Sequence, residues 1–225
     1  MDYHVAYCFD KNYAPHFGAS VTSLILNFRK RAANLHIHVI TPHDAPEFLE
    51  RLDVLRSIFS CKIHHVSPTQ AHQNRLAQMP VNSSHLSHLA LATWYRVLIP
   101  ELLPADVDRV LYLDADTIVQ GCIADLFAEA DQDAPVHAVA DFSEARVMKH
   151  HALNQYVNSG VMLMALAAWR REDYVSQCLA IGREKASQIV FADQCAINLC
   201  LGDRINKLSA RWNQFVTPNQ PPTIP

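Results

Sequence analysis

Two aspartates, Asp114 and Asp116, close the most continuously apolar run of the chain, Val110-Leu111-Tyr112-Leu113. Carboxylates at i and i+2 project to the same side of an extended backbone and can share one cation. Hard oxygen donors select Mg2+ or Mn2+ over softer metals, and these ions keep positions open for the oxygens of a substrate phosphate. The expected cofactor is Mn2+ or Mg2+, with Asp114 and Asp116 as its ligands. The same spelling recurs at Asp106-Val107-Asp108 and Asp131-Gln132-Asp133. The first of these opens the apolar run instead of closing it, and the second stands in a polar turn. Two acids ending a buried strand are costly without a counter-charge, so Asp114 and Asp116 are the pair to which chemistry is assigned.

Such a pair needs a sheet to present it. Val107 to Leu113 reads as a central strand because its apolar character is nearly unbroken. Strand and helix alternate before it: a strand from His4 to Phe9, a helix from Pro15 with Phe17, Val21, Leu24, Ile25 and Phe28 at helical spacing, and a strand from Leu35 to Thr41. Asp44 is the expected cap of a second helix carrying Phe48, Leu52, Leu55 and Phe59, and Cys61 to Val66 is a third strand. Residues 67–83, rich in Pro, Gln, Asn and Ser, are expected to form a mobile loop, and a helix from Ser84 to Ile99 is expected to stop at Pro100. Strands follow at Val136 to Ala140 and Val157 to Leu166, then helices from Arg171 to Lys185 and after Ala192. This alternation predicts an α/β fold with a mostly parallel sheet, its ligand site beyond the carboxyl ends of the strands. No repeat and no second domain is visible, so residues 1–225 are expected to form one domain.

Composition excludes several classes. Five glycines, and no G-x-G-x-x-G or G-x-x-x-x-G-K pattern, rule out a glycine-rich phosphate loop. The net charge of −3 comes from well-mixed signs, which leaves no basic stripe for nucleic acid. Half the residues are hydrophobic and 18% are charged, as in an ordinary folded chain. No basic leader opens the sequence and no apolar run approaches membrane-spanning length, so a cytoplasmic protein is expected. The six cysteines match no zinc spacing and read as reduced, buried residues; the thirteen histidines show no metal-site spacing either. Trp94, Tyr95 and Trp169 read as core.

Separated segments, in order along the chain, resemble glycosyltransferase family 8: Tyr7-Cys8-Phe9-Asp10-Lys11-Asn12-Tyr13, Thr93-Trp94-Tyr95-Arg96, Arg109-Val110-Leu111-Tyr112-Leu113-Asp114-Ala115-Asp116, Tyr156-Val157-Asn158-Ser159-Gly160-Val161-Met162 and Ala192-Asp193-Gln194. The resemblance implies a GT-A type fold, a Rossmann-like mixed and mostly parallel central sheet with helices on both faces. It also implies a UDP-sugar donor, UDP-galactose or UDP-glucose, and transfer with retention to a saccharide acceptor such as lipopolysaccharide core. Peripheral membrane association would then come through the acceptor. The donor-contacting positions so implied are Tyr7, Cys8, Asp10, Asn12, Arg96, Asp114, Ala115, Asp116, Asp141, Asn158, Asp193 and Gln194. Asp193 and Gln194 are the implied catalytic pair. An amide is a poor nucleophile, so same-face attack is expected, with the Gln194 carbonyl stabilising positive charge.

Several of these residues also have a plainer reading. Arg96 could pair with helix-end carbonyls, Asn158 could be a turn or bulge residue, Asp193 could cap a helix, and Asp10 and Asn12 could be loop formers. Two rival functions use the same acids: a haloacid-dehalogenase-like phosphatase with Asp114 as nucleophile, and a UDP-sugar binder without catalysis. The resemblance further implies a C-terminal His-x-x-Gly-x-x-Lys-Pro-Trp segment, with a third metal ligand and a diphosphate-touching lysine, after Arg211-Trp212-Asn213. The 225 residues do not contain it. A truncated product with weaker metal and donor binding is the corresponding expectation.

Overall fold

The computed structural model describes residues 1–80, 87–130 and 134–216. Expectations for residues 81–86, for Asp131-Gln132-Asp133 and for the proline-rich end from Pro218 lie outside the described residues. Seven strands form one sheet in the order β3-β2-β1-β4-β6-β5-β7. They are β1 (Tyr3–Cys8), β2 (Leu35–Ile40), β3 (Lys62–Val66), β4 (Arg109–Leu113), β5 (Val136–Ala140), β6 (Val157–Ala165) and β7 (Ile205–Lys207). β4 is the middle strand, as its unbroken apolar run predicts. β6 is antiparallel to both its neighbours, and the other pairings are parallel.

Ten α-helices accompany the sheet among the described residues: α1 (Ala14–Asn27), α2 (Pro46–Ile58), α3 (Gln70–Leu76), α4 (Ser87–Trp94), α5 (Ile99–Leu102), α6 (Ile123–Glu129), α7 (Glu144–His151), α8 (Leu166–Arg171), α9 (Tyr174–Glu184) and α10 (Ala192–Leu201). They cover both faces. Val5 and Tyr7 of β1 join a core with Phe17, Val21 and Leu24 of α1, Phe48 of α2 and Phe127 of α6. Ala6 and Cys8, pointing the other way, join Trp94, Trp169, Leu179 and Ile197. Strand alternation thus splits β1 between two apolar layers, which is why its sequence shows little polar alternation. All six cysteines are buried and free, and Trp94, Tyr95 and Trp169 are core residues.

Several boundaries differ from expectation for local reasons. Residues 70–76 are helical instead of looped: Thr69 accepts from the His72 backbone N–H, and His72 Nδ1 accepts from the Thr69 N–H, a reciprocal cap. The second helix is entered through Ala45 and Pro46, not capped by Asp44. The helix before Pro100 does not end there. It tightens into a 3-10 turn over Tyr95–Leu98 and resumes as α5 with Pro100 in its first turn. A proline at 100 has no N–H for the Arg96 carbonyl, and the Ile99 N–H takes that carbonyl instead. The expected helix from Arg171 to Lys185 is α9, which starts at Tyr174 because Asp173, with a left-handed φ of 51°, caps it with its side chain; α8, just before it, was not expected. No helix among the described residues is long and apolar enough to cross a membrane.

Candidate active site

The carboxyl ends of β1 and β4, the residue following β5 and the start of β6 meet at one edge of the sheet, with the first turn of α10 against them. A recess there is lined by Cys8, Phe9, Asp10, Tyr13, Ala92, Thr93, Arg96, Asp114, Ala115 and Asp116. The acidic pair is therefore where strand order and apolar patterning place it. Its backbone is not extended, however. β4 stops at Leu113, and Asp114 begins a turn in which its carbonyl accepts from the Thr117 N–H at 3.2 Å and the Thr117 hydroxyl at 2.8 Å. The turn, and not strand alternation, aims the two carboxylates.

Arg96 organises the site. Its guanidinium is buried, with Nη2 3.0 Å from Asp114 Oδ1 and Nε 3.0 Å from Asp193 Oδ2. Nη1 donates to the Ser159 carbonyl at 2.9 Å and to the Ser159 hydroxyl at 3.0 Å, and Nε donates to the Thr93 carbonyl at 3.0 Å. The guanidinium carbon stands 4.6 Å above the Tyr112 ring. Burial works against its charge, but Asp114 and Asp193 prevail and hold Arg96 protonated. The helix-end reading of Arg96 survives only in the Thr93 contact.

Asp193, in the first turn of α10, is buried. The nearby Arg96 N–H is aimed at Thr93, so Asp193 Oδ2 receives charge without a hydrogen bond. Burial first, with the Asp114 charge beside it, outweighs Arg96 and the Thr93 side chain and pushes the Asp193 carboxyl up to about 6. Tyr112 donates its hydroxyl to Asp114 Oδ1 at 2.6 Å, and burial keeps that phenol protonated. Asp116 stands exposed at the rim, with its carboxyl raised by partial desolvation first and by Asp114 beside it.

Asp141, Asn158 and Gln194 form a second, adjoining network. Asp141 Oδ2 accepts from Asn158 Nδ2 at 3.0 Å and Gln194 Nε2 at 3.1 Å, and Oδ1 accepts from the Ser143 N–H at 2.8 Å. Burial acts to raise its carboxyl, yet these donors prevail and hold it below the usual carboxylate range. Gln194 Oε1 accepts from the Ser159 N–H at 3.0 Å, Asn158 Nδ2 at 3.2 Å and the Ser159 hydroxyl at 3.3 Å. A backbone donor on one side and a carboxylate acceptor on the other settle which end of the amide is which.

Some predicted residues do not join the site. Tyr7 is fully buried in the opposite core layer, where its hydroxyl accepts from Ser20 at 3.2 Å. Strand alternation gives the recess to Cys8 and takes Tyr7 away from it. The Cys8 thiol is pushed up by burial, so it lines the recess as an apolar group. Asp10 lines the recess, but Asn12 is absent from its lining; Asp10 accepts from the Asn12 backbone at 2.9 Å and its side chain at 3.2 Å, the loop-forming role.

Three residues to which the sequence assigned no role also shape the site. Tyr112 holds Asp114, and Asn213 Nδ2 donates to Asn158 Oδ1 at 2.9 Å. Gly160 is required by space: a Cβ there would lie 2.7 Å from Asp114 Oδ2 and 2.9 Å from Asn158 Oδ1. A glycine inside a strand, in a chain holding only five, is the signal that could have marked this close approach.

As for the implied metal, two neighbouring carboxylates, the Asp116 carboxyl raised by desolvation and by Asp114 beside it, fit a divalent cation as oxygen donors. No group of three His, Cys, Asp or Glu side chains suited to a metal occurs among the described residues.

A mixed, mostly parallel sheet with helices on both faces is the arrangement of GT-A glycosyltransferases. The solved galactosyltransferase LgtC, bound to donor and acceptor sugar analogues, superposes with a TM-score of 0.79 at 22% identity over 94% of this chain and 74% of that one. An active-site mutant of LgtC superposes with a TM-score of 0.81 at 21% identity over the same shares. The family model for glycosyl transferase family 8 matches residues 4–222, and the chain belongs to that family. General stress protein A of Bacillus subtilis (strain 168) is 27% identical over 93% of this chain and 73% of its own length. The lipopolysaccharide 1,2-glucosyltransferase of Escherichia coli (strain K12) is 28% identical over 95% of this chain, which spans 62% of that relative. The lipopolysaccharide 1,3-galactosyltransferase of Salmonella typhimurium (strain LT2) is 25% identical over 94% of this chain, which spans 63% of it.

Proposed function

We propose that the chain is a metal-dependent, retaining hexosyltransferase that moves galactose or glucose from its UDP-sugar to a saccharide acceptor of the lipopolysaccharide-core type. The observation that carries this reading is the buried Arg96 bridge. It joins the acidic turn at the end of β4 to Asp193 beside the Asp141–Asn158–Gln194 network, uniting a place for a diphosphate with a set of hydroxyl readers. Family membership and two relatives named for glucosyl and galactosyl transfer to lipopolysaccharide support it. In this reading residues 1–225 act as one unit.

Asp114 and Asp116 would hold Mn2+ or Mg2+, which when bound supplies Lewis acidity for a departing diphosphate. Tyr112 and Arg96 fix Asp114 by a hydrogen bond and an ion pair on the same oxygen, so its other oxygen is the one left for a ligand. Asp10 and Cys8 border the place for the base. Asp141, kept ionised by its donors, and Asp193 are acceptors for sugar hydroxyls. Gln194 serves the positively charged anomeric centre through its carbonyl. To face such a centre it releases the longest of its three donors, the Ser159 hydroxyl at 3.3 Å.

The test is calorimetric titration of UDP with and without Mn2+, on wild type and on Asp114→Asn/Asp116→Asn, followed by turnover of UDP-galactose and UDP-glucose. Metal-dependent binding lost in the double variant is expected, and absence of UDP binding under both conditions overturns the reading. One alternative rests on the absence of a three-ligand metal group among the described residues: a UDP-sugar binder without catalysis. It is distinguished by metal-assisted UDP binding with no turnover of either sugar nucleotide. The match of the family model to residues 4–222 displaces the phosphatase reading.

A further inference from the structure

Beyond Asp141 and Asn213, both tied to Asn158, stand two aromatic side chains that the site as described does not use. Phe142 is 80% exposed and Phe215 is 40% exposed, in edge-to-face contact with centroids 5.1 Å apart. Leaving one Phe in water forgoes about 1.5–3 kcal/mol of burial, and this pair, with exposed Val216 next in sequence, makes a contiguous apolar patch.

Both backbones are held. Phe142 follows Asp141, whose carboxylate is bound by Ser143, Asn158 and Gln194, and whose N–H reaches the Tyr156 carbonyl at 3.1 Å. The pairing of β5 with β6 is irregular between Ala138 and Ala140, which re-aims the residues that follow. Phe215 stands two residues after Asn213, and the segment before it is clasped to α6: Glu129 pairs with Arg211 and accepts from Trp212 Nε1 at 2.9 Å. A run of hydrogen bonds leads from Asp114 through Gly160 to Asn158 and Asn213, and the aromatic pair is attached to its far end by sequence, Phe142 directly after Asp141 and Phe215 two residues after Asn213.

We infer that Phe142 and Phe215 form a stacking platform for the acceptor sugar, a neutral pyranose laying its C–H face on the rings. The inference rests on the proposed transferase reading and adds the chemistry of its second substrate. An aromatic face carries negative charge and attracts weakly positive C–H bonds, whereas an anionic sugar gains nothing from it. The platform also continues the hydroxyl-reading network, so a ring resting on it presents its hydroxyl edge to Asp141, Asn158 and Asn213. A lipid surface is the competing occupant of an exposed apolar patch.

The test is proton NMR of methyl β-glucoside and methyl β-galactoside mixed with the protein, with and without UDP. Ring-current shifts on the C–H protons of one sugar face are expected with wild type, retained in Phe142→Trp and weakened about tenfold in apparent affinity in Phe142→Ala and Phe215→Ala. High exposure makes Phe142→Ala harmless to the fold, and circular dichroism checks this. No shift with either glycoside in wild type overturns the inference, as do shifts of equal size in the alanine variants. Sedimentation with phosphatidylethanolamine–phosphatidylglycerol vesicles that is lost in Phe142→Ala overturns it in favour of a lipid surface. UDP titration of Phe142→Ala separates the two readings: loss of sugar shifts with wild-type UDP affinity concerns the platform alone, and failure of wild type to bind UDP concerns the transferase reading alone.

Discussion

Strand β1 reaches two groups of titratable side chains at its opposite ends, and they are held in opposite charge states. At its carboxyl end, Asp114 and Asp193 lie against the buried guanidinium of Arg96. Near its amino end, His4 sits opposite His36 of β2, and His38 lies opposite His64 of β3, with rings 4.5–5.5 Å apart. His4 Nδ1 and His38 Nε2 share one proton at 3.0 Å. The groups facing these rings are Asp2, 3.6 Å from His36, Lys62, 3.2 Å from His36, and Arg56 and Asp106 farther off. The two carboxylates hold Arg96 charged at one end; burial and neighbouring charge keep the histidines at the other neutral. A titratable cluster becomes a candidate site where its charge is retained against burial, as at Arg96.

The contrast breaks most severely at Arg96. Arg96→Met strands Asp114 and Asp193 without their cation, and a loss of about 3–5 kcal/mol of stability is expected in urea unfolding, with UDP binding abolished. A flank of the same carboxylate is probed next. Gly160→Ala places a methyl 2.7 Å from Asp114 Oδ2, and an overpacking cost of about 1–3 kcal/mol should appear mainly as weaker metal-dependent UDP affinity in calorimetry.

The histidine end is addressed by pH. Burial and the neighbouring imidazoles lower His4 and His64 and push His38 down to about 3, while burial and Lys62 lower His36. The folded chain then binds fewer protons than the unfolded one below the usual imidazole value. Stability is complete above pH 6.5 and falls as pH drops toward 3, with a limiting slope from His38 of about 1.4 kcal/mol per pH unit. Urea midpoints from pH 7.5 to 5 measure this, and His38→Phe should flatten the slope. A rising midpoint on acidification would sink the assignment. The smallest effect expected is at Glu129→Gln, where an exposed clasp to Arg211 is weakened by under about 1 kcal/mol in thermal unfolding.

How far the sequence discloses each region follows from the range of the interactions involved. β4 and the acids after it are legible because one apolar run and its ending are local. α3 is not, since its cap uses His72 where Glu or Gln would have been recognised. The exclusion of Tyr7 from the recess was available from strand alternation alone, because neighbours on one strand face opposite layers. The Arg96–Asp193 contact spans ninety-odd positions and no periodicity announces it, so only the family resemblance brought those two residues together. Strand direction was likewise invisible in β6, whose apolar pattern reads the same either way.

That reversed strand has a consequence for how the chain is made. β5 is synthesised before β6 yet has no place on β4, because β6 lies between them. Once residue 113 has emerged, β3, β2, β1 and β4 can pair as a parallel half-sheet, but the far edge of β4 stays open until Val157–Ala165 arrives to close it. For the intervening stretch of synthesis the most apolar strand of the molecule is an unpaired edge, the condition under which nascent chains associate with one another. A ribosome pausing between these two strands would hold the chain at its most adhesive length.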